Sequence, residues 1–203
     1  LCSELTDGGI TPSYGFIKEA VRLSSLPIQC LIRPRSGNFI YNEDEFQIIL
    51  ENIRMAKQLG VAGIVLGFLT PKNDVHWEQL HQALAFAKPL EITFHRAFDL
   101  IEDQEAALKQ LIALGAQRIL TSGGETSAPE AQHQLKKLVE TSNDRIIILA
   151  GGGIKSNNIN KLLKTGCKEF HMTANAIVKS PAAKAPIMLN ASTIIPEQNY
   201  KAS

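Results

Sequence analysis

The chain is poor in the residues that mark several whole classes of protein. It holds three cysteines, three methionines and one tryptophan among 203 residues. Cys2, Cys30 and Cys167 are odd in number and widely spaced, which does not suit a disulfide framework and fits a reducing, cytoplasmic compartment. Neither Cys-x-x-Cys nor Met-x-Met occurs, so there is no paired soft-ligand motif. Charge of one sign is also missing. Lys and Arg number 21 against 20 Asp and Glu, a net charge of +1, which leaves no electrostatic footprint for nucleic acid or a membrane surface. No apolar run approaches the roughly 20 residues of a membrane span, and no signal peptide is visible at Leu1. Gly-x-Ser-x-Gly, Walker and His-Glu-x-x-His motifs are absent. No lysine stands at the carboxyl end of an expected strand, which argues against Schiff-base chemistry.

What is present is a repeat of strand and helix. At 44% hydrophobic and 20% charged, the chain suits one compact domain with a sizeable core. Three segments, beginning at Leu59-Gly60, Leu114-Gly115 and Thr165-Gly166, place a glycine three or four residues before an apolar strand. Each glycine suits the left-handed position that stops a helix. Before two of them lie amphipathic helices, one carrying Phe46, Ile49, Leu50, Ile53 and Ala56 on one face, the other Leu108, Leu111 and Ile112. Further strands are predicted at Gln29 to Arg33, Leu90 to His95 and Arg145 to Ala150. Helix starts are predicted at Thr11-Pro12 and near Asp103, Ser127 and Ser156.

Alternating strands and helices imply an α/β fold with a parallel sheet. With Leu1 to Leu5 counted as a strand already under way, seven strands are expected where a closed (β/α)8 barrel needs eight. The expectation is therefore a TIM-type barrel lacking its first strand–helix unit in this chain. The barrel is expected to occupy residues 1–176. Residues 177–203, with Pro181, Pro186 and Pro196 and no helical periodicity, are expected to form an extended arm that wraps the barrel or builds a homo-oligomer.

The chemistry is expected at the strand ends. Glu91 to Phe94 is an apolar strand-like run that passes directly into His95, Arg96 and, after Ala97-Phe98, Asp99. In α/β sheets, the carboxyl end of a strand is where ligands sit. Alternation along the strands would then place Arg33, His95, Thr121, His171 and Thr173 around one end of the barrel. Gly151, Gly152 and Gly153 follow a strand and offer backbone N–H groups to a phosphate or carboxylate. Thr121 and Ser122 end the preceding strand in the same style. Arg33, Arg35 and Arg96 suit an anionic ligand, and the loop from Ser36 to Asn42 suits a lid. Cys30 and Cys167 are expected to be buried hydrophobes, whereas Cys2 is better placed for chemistry.

The segments LCSELTDGG and TPS from Leu1 to Ser13, IRPR from Ile32, TFHRAFD from Thr93, LTSG from Leu120, GGGI from Gly151 and EFH from Glu169 resemble, in this order, the CutC copper homeostasis family. The resemblance reaches to about Thr173. It implies a TIM barrel, a cytoplasmic location and a part in copper handling, with no established reaction. It implies Cys2 as a copper ligand, one of a pair of cysteines on the first two barrel strands, the other lying upstream of Leu1. It also matches Asp7 to the family's acid before a glycine pair.

Two functions are thus expected. One is copper binding or trafficking, as Cu(I) on Cys2. The other is acid–base chemistry on a small anionic, possibly phosphorylated, metabolite. There His95, Asp99, His171 and Asp7 are the catalytic candidates, and Arg33, Arg35, Arg96, Thr121, Ser122, the three glycines and Thr173 hold the ligand.

Overall fold

The computed structural model describes residues 1–173 and, beyond them, the backbone of the strands at 175–179, 188–190, 193–194 and 198–202; the side chain of Asp7 lies outside the described set. The chain divides into two compact units, Leu1–His171 and Met172–Ser203.

The first unit is built on one sheet of six strands: β1 (Gln29–Leu31), β2 (Gly63–Leu66), β3 (Glu91–Phe94), β4 (Arg118–Thr121), β5 (Ile147–Gly151) and β6 (Glu169–His171). They stand side by side in sequence order, and every pair is parallel. Helices α1 (Tyr14–Leu23), α2 (Glu43–Gln58), α3 (Trp77–Ala87), α4 (Gln104–Leu114), α5 (Gln132–Ser142) and α6 (Ile159–Leu162) alternate with them. The sheet curls into a partial TIM barrel.

Local chemistry explains the boundaries. Asn42 and Glu45 form a reciprocal capping box at the start of α2, and Glu43, Asp44 and Glu45 place negative charge at its positive end. Phe46, Ile49, Ile53 and Ala56 are buried on one face, as the periodicity predicts. Asp103 caps α4 by accepting from the Ala106 amide. The glycines of the repeat, Gly60, Gly115 and Gly166, all take positive φ, at 81°, 82° and 85°.

Three starts differ from expectation. Ser13, not Pro12, governs the start of α1, because its Oγ accepts from the Phe16 amide. Ser127 opens a short 3-10 turn (Ala128–Glu130) ahead of α5, and α6 begins at Ile159 rather than near Ser156. The strand expected over Leu1 to Leu5 is also shorter. Leu31 donates to the Leu1 carbonyl at 2.9 Å and the Leu1 nitrogen donates to the Gln29 carbonyl, a parallel rung centred on Cys30. Glu4 then turns into the left-handed region at φ 52°, and Leu5–Asp7 coils into a 3-10 turn.

Strand alternation separates two environments. Cys30, Ile64, Leu66, Ile92, Phe94, Ile119, Thr121, Ile148 and Ala150 are buried, on the face covered by the helices. The opposite, concave face is polar at its amino end. There Gln29 Nε2 donates to Glu91 Oε2 at 2.8 Å, and Arg118 bridges Glu91 at 2.7 Å and Glu169 at 2.8 Å. These carboxylates hold the Arg118 pKa above its ordinary value.

In the second unit β7 (Asn175–Lys179) pairs antiparallel with β10 (Gln198–Ala202), and β8 (Met188–Asn190) with β9 (Thr193–Ile194). Whether these residues wrap the barrel or reach a second copy lies outside the described residues.

The concave packing gives a test by glycine substitution. A Cβ on Gly63 would stand 2.7 Å from the Glu91 backbone oxygen, whereas one on Gly15 in α1 meets nothing within 4 Å. Gly63→Ala should destabilise the protein by about 1–3 kcal/mol through overpacking. Gly15→Ala should stabilise it by about 1 kcal/mol through helix propensity. Urea unfolding of the two variants measures both signs.

Candidate functional site

At the carboxyl end of the strands the concave face carries Arg33 after β1, Gly67 after β2, His95 after β3, Ser122 after β4, Gly151 on β5 and His171 on β6. Close approaches confirm the shared face. A Cβ on Gly67 would stand 2.5 Å from His95 Cε1, and one on Gly151 would stand 3.2 Å from His171 Cβ. The expected ring of polar groups therefore exists at one end, with two changes. Thr121 points the other way, into the helix layer, because it is one residue out of phase with Ser122. Thr173 is exposed and belongs to the second unit.

His95 is the centre of the first cluster. It is buried, at 4% exposure, and its Nδ1 accepts from the Ala97 amide at 3.1 Å. That bond fixes the proton on Nε2. The Nε2–H is buried and has no partner among the described residues. Desolvation, with Arg33 adding to it, pushes the His95 pKa down to about 3. His95 is therefore neutral near pH 7. It is a fixed neutral donor.

Arg33 lies beside it, donating to the Gly9 carbonyl at 2.8 Å and the Gly37 carbonyl at 2.7 Å. Phe39, a residue that sequence reasoning passed over within the lid loop, contacts both Arg33 and His95. Its ring centroid is 4.6 Å from that of His95 and 5.1 Å from Arg33 Cζ. The one available signal was an aromatic inside an otherwise polar, Gly- and Asn-bearing loop. Arg35 holds this loop in place. Its guanidinium donates to the carbonyls of Ser36, Asn38 and Ile40, to Asn38 Oδ1 and to Glu45. Its donors face the loop rather than the mouth, and Glu45 raises its pKa.

Arg96 and Asp99 form the second cluster. Asp99 Oδ1 accepts from Thr121 Oγ1 at 2.5 Å, the Ser122 amide at 2.9 Å and the Gly124 amide at 3.2 Å; Oδ2 accepts from Arg96 Nε at 2.7 Å. The Ser122 hydroxyl accepts from Arg96 Nη2 at 2.7 Å and lies 3.0 Å from Asp99 Oδ2 and 2.6 Å from the Glu125 carbonyl, to one of which it donates at a time. Asp99 is thus a positioning group whose lone pairs are taken. Arg96 is held by two of its nitrogens and 44% exposed, and its Nη1 makes no hydrogen bond among the described residues. A Cβ on Gly152 would come within 3.3 Å of Arg96 Cζ and Nη1, so glycine is what lets the loop after β5 approach this guanidinium. Gly153 packs the same loop against Ser127. His171 is exposed at the mouth, and its pKa is lowered by desolvation, then by the Leu1 ammonium and Arg96.

Cys2 and Cys30 lie on neighbouring extended segments but face opposite sides, near enough that Cys2 adds to the desolvation that raises the Cys30 pKa. Cys2 lies on the concave side with Leu31, its Sγ 3.4 Å from where a Cβ on Gly9 would stand. It no longer shares an alternating face with Glu4, because the chain leaves the extended conformation there. Cys30 is fully buried on the helix side, and desolvation pushes its thiol up to about 11. Burial also raises Cys167. Copper binds the thiolate form, and among the described residues no three His, Cys, Asp or Glu side chains are grouped to hold a metal. Of the three thiols, Cys2 is the one that is partly exposed. The Asp7 backbone closes the turn after Glu4, and its side chain is outside the described set.

The CutC family model matches residues 1–176. The chain belongs to the CutC family. A CutC family protein of Vibrio vulnificus is 45% identical over 179 residues, covering 87% of this chain and 72% of the relative. The human copper homeostasis protein cutC homolog is 40% identical over 177 residues, covering 87% of this chain and 65% of the relative. Among solved structures, the CutC protein of Streptococcus agalactiae superposes with a TM-score of 0.80 at 41% identity, covering 84% of this chain and 85% of that one. An aldolase at 17% identity, with a TM-score of 0.60, 77% of this chain and 73% of that chain covered, shares the fold alone. Among the described residues, no helix is long and apolar enough to cross a membrane.

The environment of His95 predicts a pH effect on stability. A base held neutral in the fold takes up its proton only on unfolding, so stability falls as pH drops below the unfolded value near 6.5. With a folded pKa of about 3, the loss between pH 7 and pH 5 should be about 2 kcal/mol from this residue. Denaturant unfolding at the two pH values should show this loss in the parent, with that increment removed in His95→Gln.

Proposed function

We propose that the barrel mouth binds a small anionic metabolite and performs acid–base chemistry on it. The observation that supports this is the buried Nε2–H of His95, a neutral donor with no partner among the described residues. Leaving such a group unsatisfied costs about 1–3 kcal/mol, which a ligand oxygen would recover. A neutral imidazole donor suits an oxygen on which negative charge develops, such as a carbonyl next to a carbon losing a proton. Arg96, aimed by Asp99 and Ser122, presents Nη1 to the ligand's anionic group. His171, exposed and with a lowered pKa, is the group suited to accept the proton.

The CutC family takes its name from copper homeostasis, and a direct copper role for this chain is a separate proposal. It rests on Cys2, a partly exposed thiol on the concave side. One thiolate is a poor Cu(I) site, so tight binding needs a second sulfur from elsewhere. A cytoplasmic setting, where Cys2, Cys30 and Cys167 stay free thiols, suits both proposals.

Calorimetric titration with oxalate and inorganic phosphate tests the anion site. The parent should bind at least one of them, and His95→Gln and Arg96→Ala should each weaken that binding by about tenfold or more, the worth of one hydrogen bond to a charged group. Binding that is unchanged in both variants would remove the mouth from consideration. In competition against a Cu(I) chelator, Cys2→Ser should lose the weak copper binding of the parent, and Cys167→Ser should retain it.

A further inference from the structure

We infer that Arg35 and Glu45 are positioning residues for His95: their ion pair fastens the loop that seats Phe39 against the imidazole, and so keeps water from it. This inference rests on His95 as the donor of the proposed anion site and adds two residues to its support.

The loop is held along its whole backbone. Arg35 donates to the carbonyls of Ser36 and Asn38 at 3.2 Å each and to that of Ile40 at 2.8 Å. Arg33 Nη2 donates to the Gly37 carbonyl at 2.7 Å, and the Leu69 amide to the Phe39 carbonyl at 2.8 Å. One guanidinium thus holds the carbonyls on both sides of residue 39. Its charge is met by Glu45, whose Oε1 accepts from Arg35 Nε at 2.5 Å and whose Oε2 accepts from Nη2 at 3.3 Å. Glu45 is itself fixed at the start of α2, where Oε2 accepts from the Asn42 amide at 3.0 Å. The loop is therefore tied to a helix and not to itself alone. A planar fork of donors suits this work, and an ammonium does not reproduce it.

What the loop covers is His95. The Phe39 and His95 ring centroids are 4.6 Å apart. Other neighbours of the imidazole belong to the barrel itself: a Cβ on Gly67 would stand 2.5 Å from His95 Cε1 and 3.2 Å from Ala97 Cβ. Phe39 comes instead from a surface loop, whose residues Ser36, Gly37 and Asn38 are exposed. The charges that act on the imidazole are those of Arg33 and Asp99. Arg35 and Glu45 are not among them, and as a pair they are neutral, so they act on His95 by position and not by field. The Nε2–H has no partner among the described residues and would gain a hydrogen bond from any water that reached it. The cover is what withholds that water.

The test uses the full chain, isotope-labelled. The readout is the exchange of the His95 Nε2–H with water, its resonance assigned by its loss in His95→Gln. The backbone amides of Phe94 and Ile119 serve as internal standards for general loosening. Arg35→Ala should quicken the His95 exchange about tenfold or more and leave both amides unchanged. Phe39→Leu should act in the same direction with the ion pair intact. Because the pair acts through the ring, Arg35→Ala combined with Phe39→Leu should exchange no faster than the faster single variant. Glu45→Gln keeps the cap of α2, since glutamine also serves at that position, and Arg35→Lys keeps the charge. Each should give a smaller gain of the same sign, and they carry the test should Arg35→Ala fail to fold. The midpoint of His95 protonation, about 3 in the parent because of desolvation, should rise toward 6.5 in Arg35→Ala. The inference is overturned if the exchange is unchanged in the Arg35 and Glu45 variants, if the two amides quicken equally, or if the effects of Arg35→Ala and Phe39→Leu add. Oxalate added to the parent judges the anion site separately. A His95 resonance that ignores it removes that site, while the exchange rates still decide what Arg35 and Glu45 do.

Discussion

The constraint on which the rest depends is the strict alternation of side chains along six parallel strands that bury one face under helices. Every second residue, from Cys30 through Ile64, Ile92 and Ile119 to Ile148, is spent on that apolar layer. Parallel strands share one direction, so all six deliver their last residues to the same end. Polar groups that follow the strands in phase with the concave face must then meet there, as Arg33, His95, Ser122 and His171 do. One residue out of phase sends a side chain to the other layer, which is where Thr121 goes.

The concave face is polar at both ends for different reasons. At the amino end Arg118 neutralises Glu91 and Glu169, while the buried Gln29 Oε1 has no partner among the described residues. At the carboxyl end it is donors that are left over. Asp99 receives donors on both oxygens, and Arg96 is fixed by Asp99 and Ser122, yet Arg96 Nη1 and His95 Nε2 are left facing outward from these networks. Rigid support behind unsatisfied donors is the arrangement expected of a binding site, because the cost of ordering has been met before the ligand arrives.

Burial decides what each histidine can do. The same imidazole chemistry gives a fixed neutral donor at His95, under Phe39 and beside Arg33, and a solvent-facing group at His171. The cysteines follow the same rule. Cys30 is one residue from Leu31, but it faces the helices and its thiol is held protonated, while Cys2 faces the concave side.

Much of this was written in the sequence. The glycines at 60, 115 and 166, the capping residues Asn42 and Asp103, and the apolar faces of α2 and α4 act within a few residues of themselves, so local pattern was enough to place the alternating elements. The polar ends of the strands at His95 and Ser122 were legible for the same reason. What only the tertiary structure decided are the partners that come from distant segments. The pairing of Arg35 with its own loop, the enclosure of Asp99 by the end of β4, the approach of Gly152 to Arg96, the contact of Phe39 with Arg33 and His95, and the depressed His95 pKa all need the curled sheet to bring separate loops to one mouth. The sequence by itself determined which residues reach that end, because strand phase is a property of neighbours. Their protonation, exposure and free valences were decided by the fold, because those depend on what the rest of the chain packs against them.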